Sequence, residues 1–171
     1  MLADADFGYN RVMDRQDYRF VTHWRVEGTC EQVYEILIEP EGYARWWGDC
    51  YKRIEHLRDN DTHGVGGASR IVNKGFLPYT LTWTSTLIKE NPPHGFTIQA
   101  SGELDGEGQW ELKQDGDCVN IIFHWNVRLT KRWLQRLAII VKPFLIVNHN
   151  YVMNLGQKHL QEEIQRRYHA K

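Results

Sequence analysis

The sequence predicts an α+β fold in which an antiparallel sheet curls around one long C-terminal helix. Apolar and polar residues alternate along "VNIIFHWNVRL" (119–129), and threonines alternate with larger side chains along "YTLTWTSTLIKE" (79–90). This period of two is typical of strands with one buried face. From residue 131 to about 168 apolar residues recur every three or four positions, which indicates an amphipathic helix. Such a sheet needs an apolar layer on its dry face, and this helix supplies one.

The first elements are one strand and two short helices. "YRFVTHWRV" (18–26) alternates and predicts the first strand. Thr29 with Gln32 three residues later forms a capping-box pattern at the start of a helix. Pro40 ends or bends that helix, and a second short helix is predicted through Tyr43–Trp46.

The middle of the chain predicts strands and turns without a long helix. Short turns such as Asp115–Gly116–Asp117 join the strands at regular spacing, which indicates an antiparallel meander. In one strand Gly106 and Gly108 share a face with Leu104 and Trp110. Glycines there let the strand bend sharply, or leave volume between sheet and helix. The predicted strands cover 51–57, 68–75, 79–90, 96–102, 108–114 and 119–129.

The C-terminal helix carries polar residues near its apolar stripe. Pro143 predicts a kink or a break. Asn148 lies on the stripe with Tyr151, and a buried amide without a partner costs about 1–3 kcal/mol. Its partner is expected to be a sheet residue, a water or a ligand. His149 lies about 100° around the helix, and Val152, Met153 and Gly156 are on its side.

Composition and motifs exclude several classes of protein. The 171 residues suit one domain, predicted as 17–168 after a polar N-terminal arm at 1–16. The net charge of −1 gives no bulk attraction to nucleic acid or an anionic membrane. Three scattered cysteines without CxxC argue against disulfides and zinc, and favour a reducing compartment. No signal peptide or membrane-spanning run is evident. We expect a cytoplasmic protein without metal or cofactor.

Direct signs of catalysis are absent from the sequence. No metal-binding His spacing and no nucleophile elbow occur. His124 shares the polar face of its strand with Asn126, so the alternation places it outside. Arg53 and Glu55 either pair on the inner side of their strand or form a solvated edge.

The order of elements and four stretches carry a resemblance to a known superfamily. They are "YTLTWTSTLIKENPP", "SGELDGEGQWEL", "FHWNVRL" and "NHNYVMNLGQKHL", together with the "EPEGYARWW" corner. Over about residues 17–165 the chain resembles the START-like (SRPBCC, helix-grip) superfamily, in its polyketide cyclase/dehydrase-like branch. The resemblance implies a seven-stranded antiparallel sheet curled around the long helix, two short helices between strands 1 and 2, and a hydrophobic cavity. Such proteins carry lipids, sterols, quinones or polyketides, and some catalyse ring closure or dehydration.

We therefore predict binding or carriage of a small hydrophobic ligand (lipid, polyketide, quinone or sterol-like) in a cavity between sheet and helix. The inner faces also offer Thr22, Arg53 and Ser85, without an evident acid–base pair. One alternative is a polyketide cyclase/dehydratase-type enzyme that uses His149 as general acid/base, and another is an interaction module with a solid core. The expected partner is a small hydrophobic molecule, not nucleic acid and without stable membrane insertion; a homodimer is left open. The predicted ligand-binding residues are Trp24, Trp83, Trp110, Phe123, Trp125 and Tyr151 as wall, with Asn148 and His149 as orienting groups.

Overall fold

The chain folds into one antiparallel sheet of seven strands with helices against its inner face. The computed structural model of the chain describes residues 17–62, 64–75, 79–131 and 138–169, so the predicted N-terminal arm at 1–16 lies outside the described residues. The strands are β1 (Asp17–Glu27), β2 (Tyr51–Arg58), β3 (Ala68–Asn73), β4 (Leu81–Asn91), β5 (Gly95–Gly102), β6 (Leu104–Asp115) and β7 (Cys118–Leu129). Their order in the sheet is β1-β7-β6-β5-β4-β3-β2.

Two short helices connect β1 to β2, as predicted. Helix α1 (Cys30–Leu37) begins with the predicted capping box, in which the Thr29 side chain accepts from the Gln32 backbone N–H. A 3₁₀ turn (Pro40–Gly42) follows, and then α2 (Tyr43–Trp46). Pro40 thus ends the first helix and opens the turn, because its ring fixes φ and removes a backbone donor.

The long C-terminal helix, α3 (Ala138–Ile164), is followed by a π-helical turn (Gln165–His169). The helix continues through Pro143, so the predicted break at that residue does not occur. The predicted helical segment at 132–137 lies outside the described residues. The seven-stranded curled sheet, the long helix and the two short helices confirm the predicted α+β helix-grip fold.

In strand β2, one residue that was predicted as a possible inner residue is exposed. The β2–β3 register shifts between Tyr51 and Arg53, and such a bulge reverses which side chains face inward. Arg53 is therefore exposed instead of facing the sheet interior. Glu55 does not pair with it but with Arg70 on β3, at 3.1 Å. Arg53 belongs to the solvated edge that was the alternative prediction.

The buried face of α3 also differs from the predicted stripe. Val152 and Met153 are buried on the side of His149, and Leu160 follows on that side. Tyr151, which was predicted on the buried stripe, is 45% exposed, and Phe144 is 54% exposed. The prediction was wrong because apolar residues occupy both sides of the first half of this helix, so periodicity alone could not select the face.

A contact between two indole rings and Gly156 selects that face. A Cβ at Gly156 would overlap the Trp47 ring and would lie 2.8 Å from Cη2 of Trp24. The Trp47 Nε1–H donates to the Val152 carbonyl at 3.1 Å. The volume expected around this glycine is thus filled by tryptophans of β1 and of the segment after α2, and these rings fix how the helix is rotated.

We predict that Gly156→Ala destabilises the protein by about 1–3 kcal/mol, because overpacking outweighs a gain in helix propensity of about 1 kcal/mol. Urea unfolding would measure the change. Asn154→Ala, at an exposed position two residues earlier, is the control and should be neutral or slightly stabilising. A Gly156→Ala variant as stable as this control would contradict the packing argument.

The C-terminal end of α3 is held by a buried carboxylate. Glu163 is 3% exposed and accepts from Arg45 of α2 at 2.7 Å, from Arg166 at 2.6 Å and from Arg167 at 2.7 Å. The hydrogen bonds from Arg166, Arg167 and Arg45 outweigh burial and lower the pKa of Glu163 to about 2. The carboxylate is therefore ionised at neutral pH and ties α2 to the end of α3.

Replacing this carboxylate should cost more stability than replacing its neighbour. Glu163→Gln is expected to lower the free energy of unfolding by about 2 kcal/mol, the scale of a hydrogen bond to a charged group. Arg45 and Arg166 are half-exposed, so the loss stays below that of a fully buried pair. In urea unfolding, the exposed neighbour substituted as Glu162→Gln should stay within about 0.5 kcal/mol of the parent. Equal effects at both positions would refute the anchoring role.

Candidate ligand cavity

A cavity of about 280 Å³ lies between the inner face of the sheet, the α1–α2 corner and the middle of α3. A single buried water needs about 10–15 Å³ of such space, so there is room for a small organic molecule. Exposed residues Arg58, Asp59 and Asn60 line one end, where the cavity meets the surface. His149, Val152 and Met153 line it from the helix. The space between sheet and helix is therefore only partly filled by core side chains.

An aromatic wall forms the sheet side of the cavity. The ring of Trp83 lies 5.5 Å from that of Trp125, and Phe123 follows at 5.6 Å from Trp125. Trp110 stacks on Phe123 at 4.0 Å. Gly108 pairs with Trp125 across β6 and β7, and a Cβ there would lie 2.8 Å from the Trp125 ring. This inner-face glycine gives the indole ring room to lie over the sheet.

The structure brings together five of the eight predicted ligand-binding residues. Trp24 instead lies in the core, with its ring 5.6 Å from that of Trp47. Asn148 lies against Gly75 in the β3–β4 connection, and its Oδ1 has no hydrogen-bond partner among the described residues. Tyr151 is 45% exposed and outside the lining, so its predicted place in the wall was wrong. The five lining residues are Trp83, Trp110, Phe123, Trp125 and His149.

His149 is the polar group that α3 presents to the cavity. Its Nε2 lies 3.2 Å from the hydroxyl of Thr22 on β1, and its ring stacks on Phe20 at 3.9 Å. Burial lowers the pKa of His149 to about 4. The imidazole is consequently neutral at pH 7 and can donate or accept a hydrogen bond, but it is a weak general base.

A second polar group, on the β2–β3 side of the cavity, was missed from the sequence. The Ser69 hydroxyl donates to Oε1 of Glu41, in the turn between α1 and α2, at 2.6 Å. His56 Nδ1 lies 3.2 Å from the same oxygen, and its Nε2 lies 3.0 Å from Asp59. All four residues line the cavity. The alternation in "ASRIVN" could have placed Ser69 on the inner face with Ile71, but nothing in the sequence places Glu41 beside it.

Within this polar group, Glu41 and His56 each stabilise the charged form of the other. Burial opposes ionisation of Glu41, but hydrogen bonds from Ser69 and His56 outweigh it and hold the pKa of Glu41 below its usual range. The hydrogen bond to Glu41 is the main reason that the pKa of His56 is raised, with a contribution from Asp59. The cavity lining thus carries a carboxylate from the α1–α2 turn and a neutral imidazole from α3.

No three His, Cys, Asp or Glu side chains among the described residues are placed to hold a metal ion. Cys30, Cys50 and Cys118 are free thiols. None of the described helices is long and apolar enough to cross a membrane.

Comparison with known proteins identifies the fold. A protein from Thermus thermophilus superposes with a TM-score of 0.70 at 15% identity, over 88% of this chain and 99% of that chain. The Zhui aromatase/cyclase from a Streptomyces species gives 0.69 at 15% identity, over 88% and 95%. A START superfamily protein from Mycobacterium smegmatis gives 0.67 at 11% identity, over 86% and 97%. The chain has the START-like fold.

This assignment confirms, at the level of fold, the resemblance carried by the sequence. No family model and no curated protein matches the chain. The START-like fold is thus shared with solved structures at identities of 11–15%. Such low identity shows the architecture alone, because one fold hosts many functions.

We predict that His149 makes the protein less stable as the pH falls from 6.5 to 4. Its folded pKa of about 4 lies below its ordinary value of 6.5, so only the unfolded chain takes up this proton in that window. The loss amounts to at most about 3 kcal/mol. His149→Phe keeps an aromatic ring on Phe20 and removes the titration, so urea unfolding should show a shallower dependence on pH. Identical pH dependence in both proteins would contradict a buried neutral imidazole.

Proposed function

We propose that the protein binds and carries a small hydrophobic ligand of lipid, polyketide, quinone or sterol type in the cavity between sheet and α3. The observation that carries the proposal is the aromatic-walled space of about 280 Å³. Ligand pockets are typically apolar with a few placed polar groups. Here an apolar body would contact Trp83, Trp110 and Trp125, while His149 offers a fixed hydrogen-bonding group.

An enzyme acting in the same cavity is the alternative. One solved structure of like fold is an aromatase/cyclase, and a cyclase or dehydratase reaction would need a proton donor or acceptor beside the substrate. His149 was the sequence-based candidate, but its pKa of about 4 leaves it unprotonated and weakly basic at neutral pH. This favours carriage over acid–base catalysis by His149.

The cytoplasm is the compartment that we propose for this activity. The support comes from the three free cysteines, of which Cys30 and Cys50 are buried. Free thiols persist in reducing compartments.

A cavity-filling variant tests the proposed function. Leu87 on β4 is buried and lines the cavity, whereas its neighbour Ile88 is 44% exposed. In isothermal titration calorimetry with menadione, a two-ring quinone, Leu87→Trp should weaken binding at least about tenfold, which corresponds to about 1.4 kcal/mol. Ile88→Trp, the matched control, should leave the dissociation constant within about twofold of the parent.

Native mass spectrometry of protein purified from its own host complements this titration. A carrier should show an adduct of one small molecule that Leu87→Trp loses and Ile88→Trp keeps. An enzyme would instead release a chemically altered product. Absence of menadione binding, or equal weakening by both variants, together with no adduct, would refute binding in the cavity.

A further inference from the structure

A row of polar side chains crosses the inner face of three neighbouring strands. His56 on β2 pairs with Ser69 on β3, and Ser69 pairs with Ser85 on β4. Residues paired in an antiparallel sheet point to the same face, and all three line the cavity. The row continues into Ala100 on β5 and Gly106 on β6. It therefore forms a shallow strip of small and polar residues beside the aromatic wall.

The hydroxyl of Ser85 has no partner within the described part of the chain. Ser85 is 7% exposed, and its side chain makes no hydrogen bond to any described residue. Ser85 Oγ is not among the fully buried atoms that lack a partner, so it is accessible from the cavity, where a water or a ligand can hydrogen-bond to it. Because Ser85 lines the cavity, the partner that it lacks can come from a molecule inside it.

The neighbouring pair complements this free hydroxyl. The Ser69 hydroxyl already donates to Glu41. The Glu41 carboxylate can therefore act as the acceptor for a ligand, and the neighbouring Ser85 hydroxyl can act as the donor. Cβ atoms of directly opposed strand residues are about 4.5–5.5 Å apart. One ligand oxygen between Ser85 and the Glu41–Ser69 pair can therefore come within about 2.8 Å of groups on both sides.

We propose that Ser85 and the Glu41–Ser69 pair form a subsite for a hydroxyl group on an aromatic ring of the ligand. Ser85 donates to the ligand oxygen, and the ligand hydroxyl donates to the Glu41 carboxylate. The inference rests on the proposed function and narrows the ligand to a neutral hydroxylated aromatic molecule.

The chemistry of the subsite discriminates among oxygen-containing ligands. A hydroxyl both donates and accepts, whereas a ketone can only accept and therefore cannot donate to the Glu41 carboxylate. A ligand carboxylate has no proton to donate and is disfavoured beside the ionised Glu41. Trp83 stands two residues before Ser85 on the same face of β4, so a ring against Trp83 brings its substituent to the Ser85 hydroxyl.

Two probes of nearly equal shape test the subsite: 2-naphthol and 2-methylnaphthalene. A purely apolar cavity prefers the methyl compound, because the naphthol hydroxyl loses hydration on burial. With the subsite present, isothermal titration calorimetry on the full chain should show 2-naphthol bound at least about threefold more tightly. Ser85→Ala and Glu41→Gln should each reduce this preference about threefold to tenfold, while 2-methylnaphthalene binding changes by less than about twofold.

Thr84→Ala is the matched control, since Thr84 lies on β4 beside Ser85 but on the opposite face of the strand. It should leave the preference unchanged, and circular dichroism should show all variants folded. If the parent protein prefers 2-methylnaphthalene but still binds menadione, the subsite is refuted and the ligand cavity is not. A preference for 2-naphthol that survives both Ser85→Ala and Glu41→Gln would likewise overturn it. Failure of menadione and both naphthalenes to bind would overturn the proposed function itself.

Discussion

The indole ring of Trp47, seated where Gly156 has no side chain, sets how the long helix lies on the sheet. The contact fixes the rotation of α3, because the same ring donates a hydrogen bond to the Val152 carbonyl. It turns His149 inward and leaves Tyr151 exposed. The buried Glu163 carboxylate holds the far end of the helix to α2 through Arg45. With the helix held in this way, the space above β4 and β7 stays open.

The cavity combines an apolar surface with two polar groups of different character. The aromatic wall supplies contact area, and Gly108 beneath it lets the Trp125 ring lie close to the backbone. His149 is kept neutral by burial, whereas hydrogen bonds keep Glu41 ionised. A guest therefore meets both an imidazole and a carboxylate. This asymmetry favours recognition of one ligand orientation.

The START-like architecture recurs in proteins with which this chain shares 15% identity or less. The feature that these divergent sequences share is a curled sheet packed against a helix. Many combinations of apolar side chains can fill the core of that arrangement. The polar residues inside the cavity are not required by that packing. Ser85, Glu41 and His149 are thus the features of this chain that bear on which ligand it selects, and the fold alone does not name the ligand.

The sequence by itself determined the strands, the inward faces of most of them and the short capped helix, because these depend on local periodicity and local hydrogen bonds. The alternation in "FHWNVRL" placed Phe123 and Trp125 inside and His124 outside, as the structure shows. Only the tertiary structure decided which side of α3 is buried, because both sides carry apolar residues and the choice depends on the distant Trp47. It also decided the exposure of Arg53, through a bulge. Glu41, His56 and Ser69 come into contact because three separate elements pack against one another, and no local sequence pattern predicts that contact.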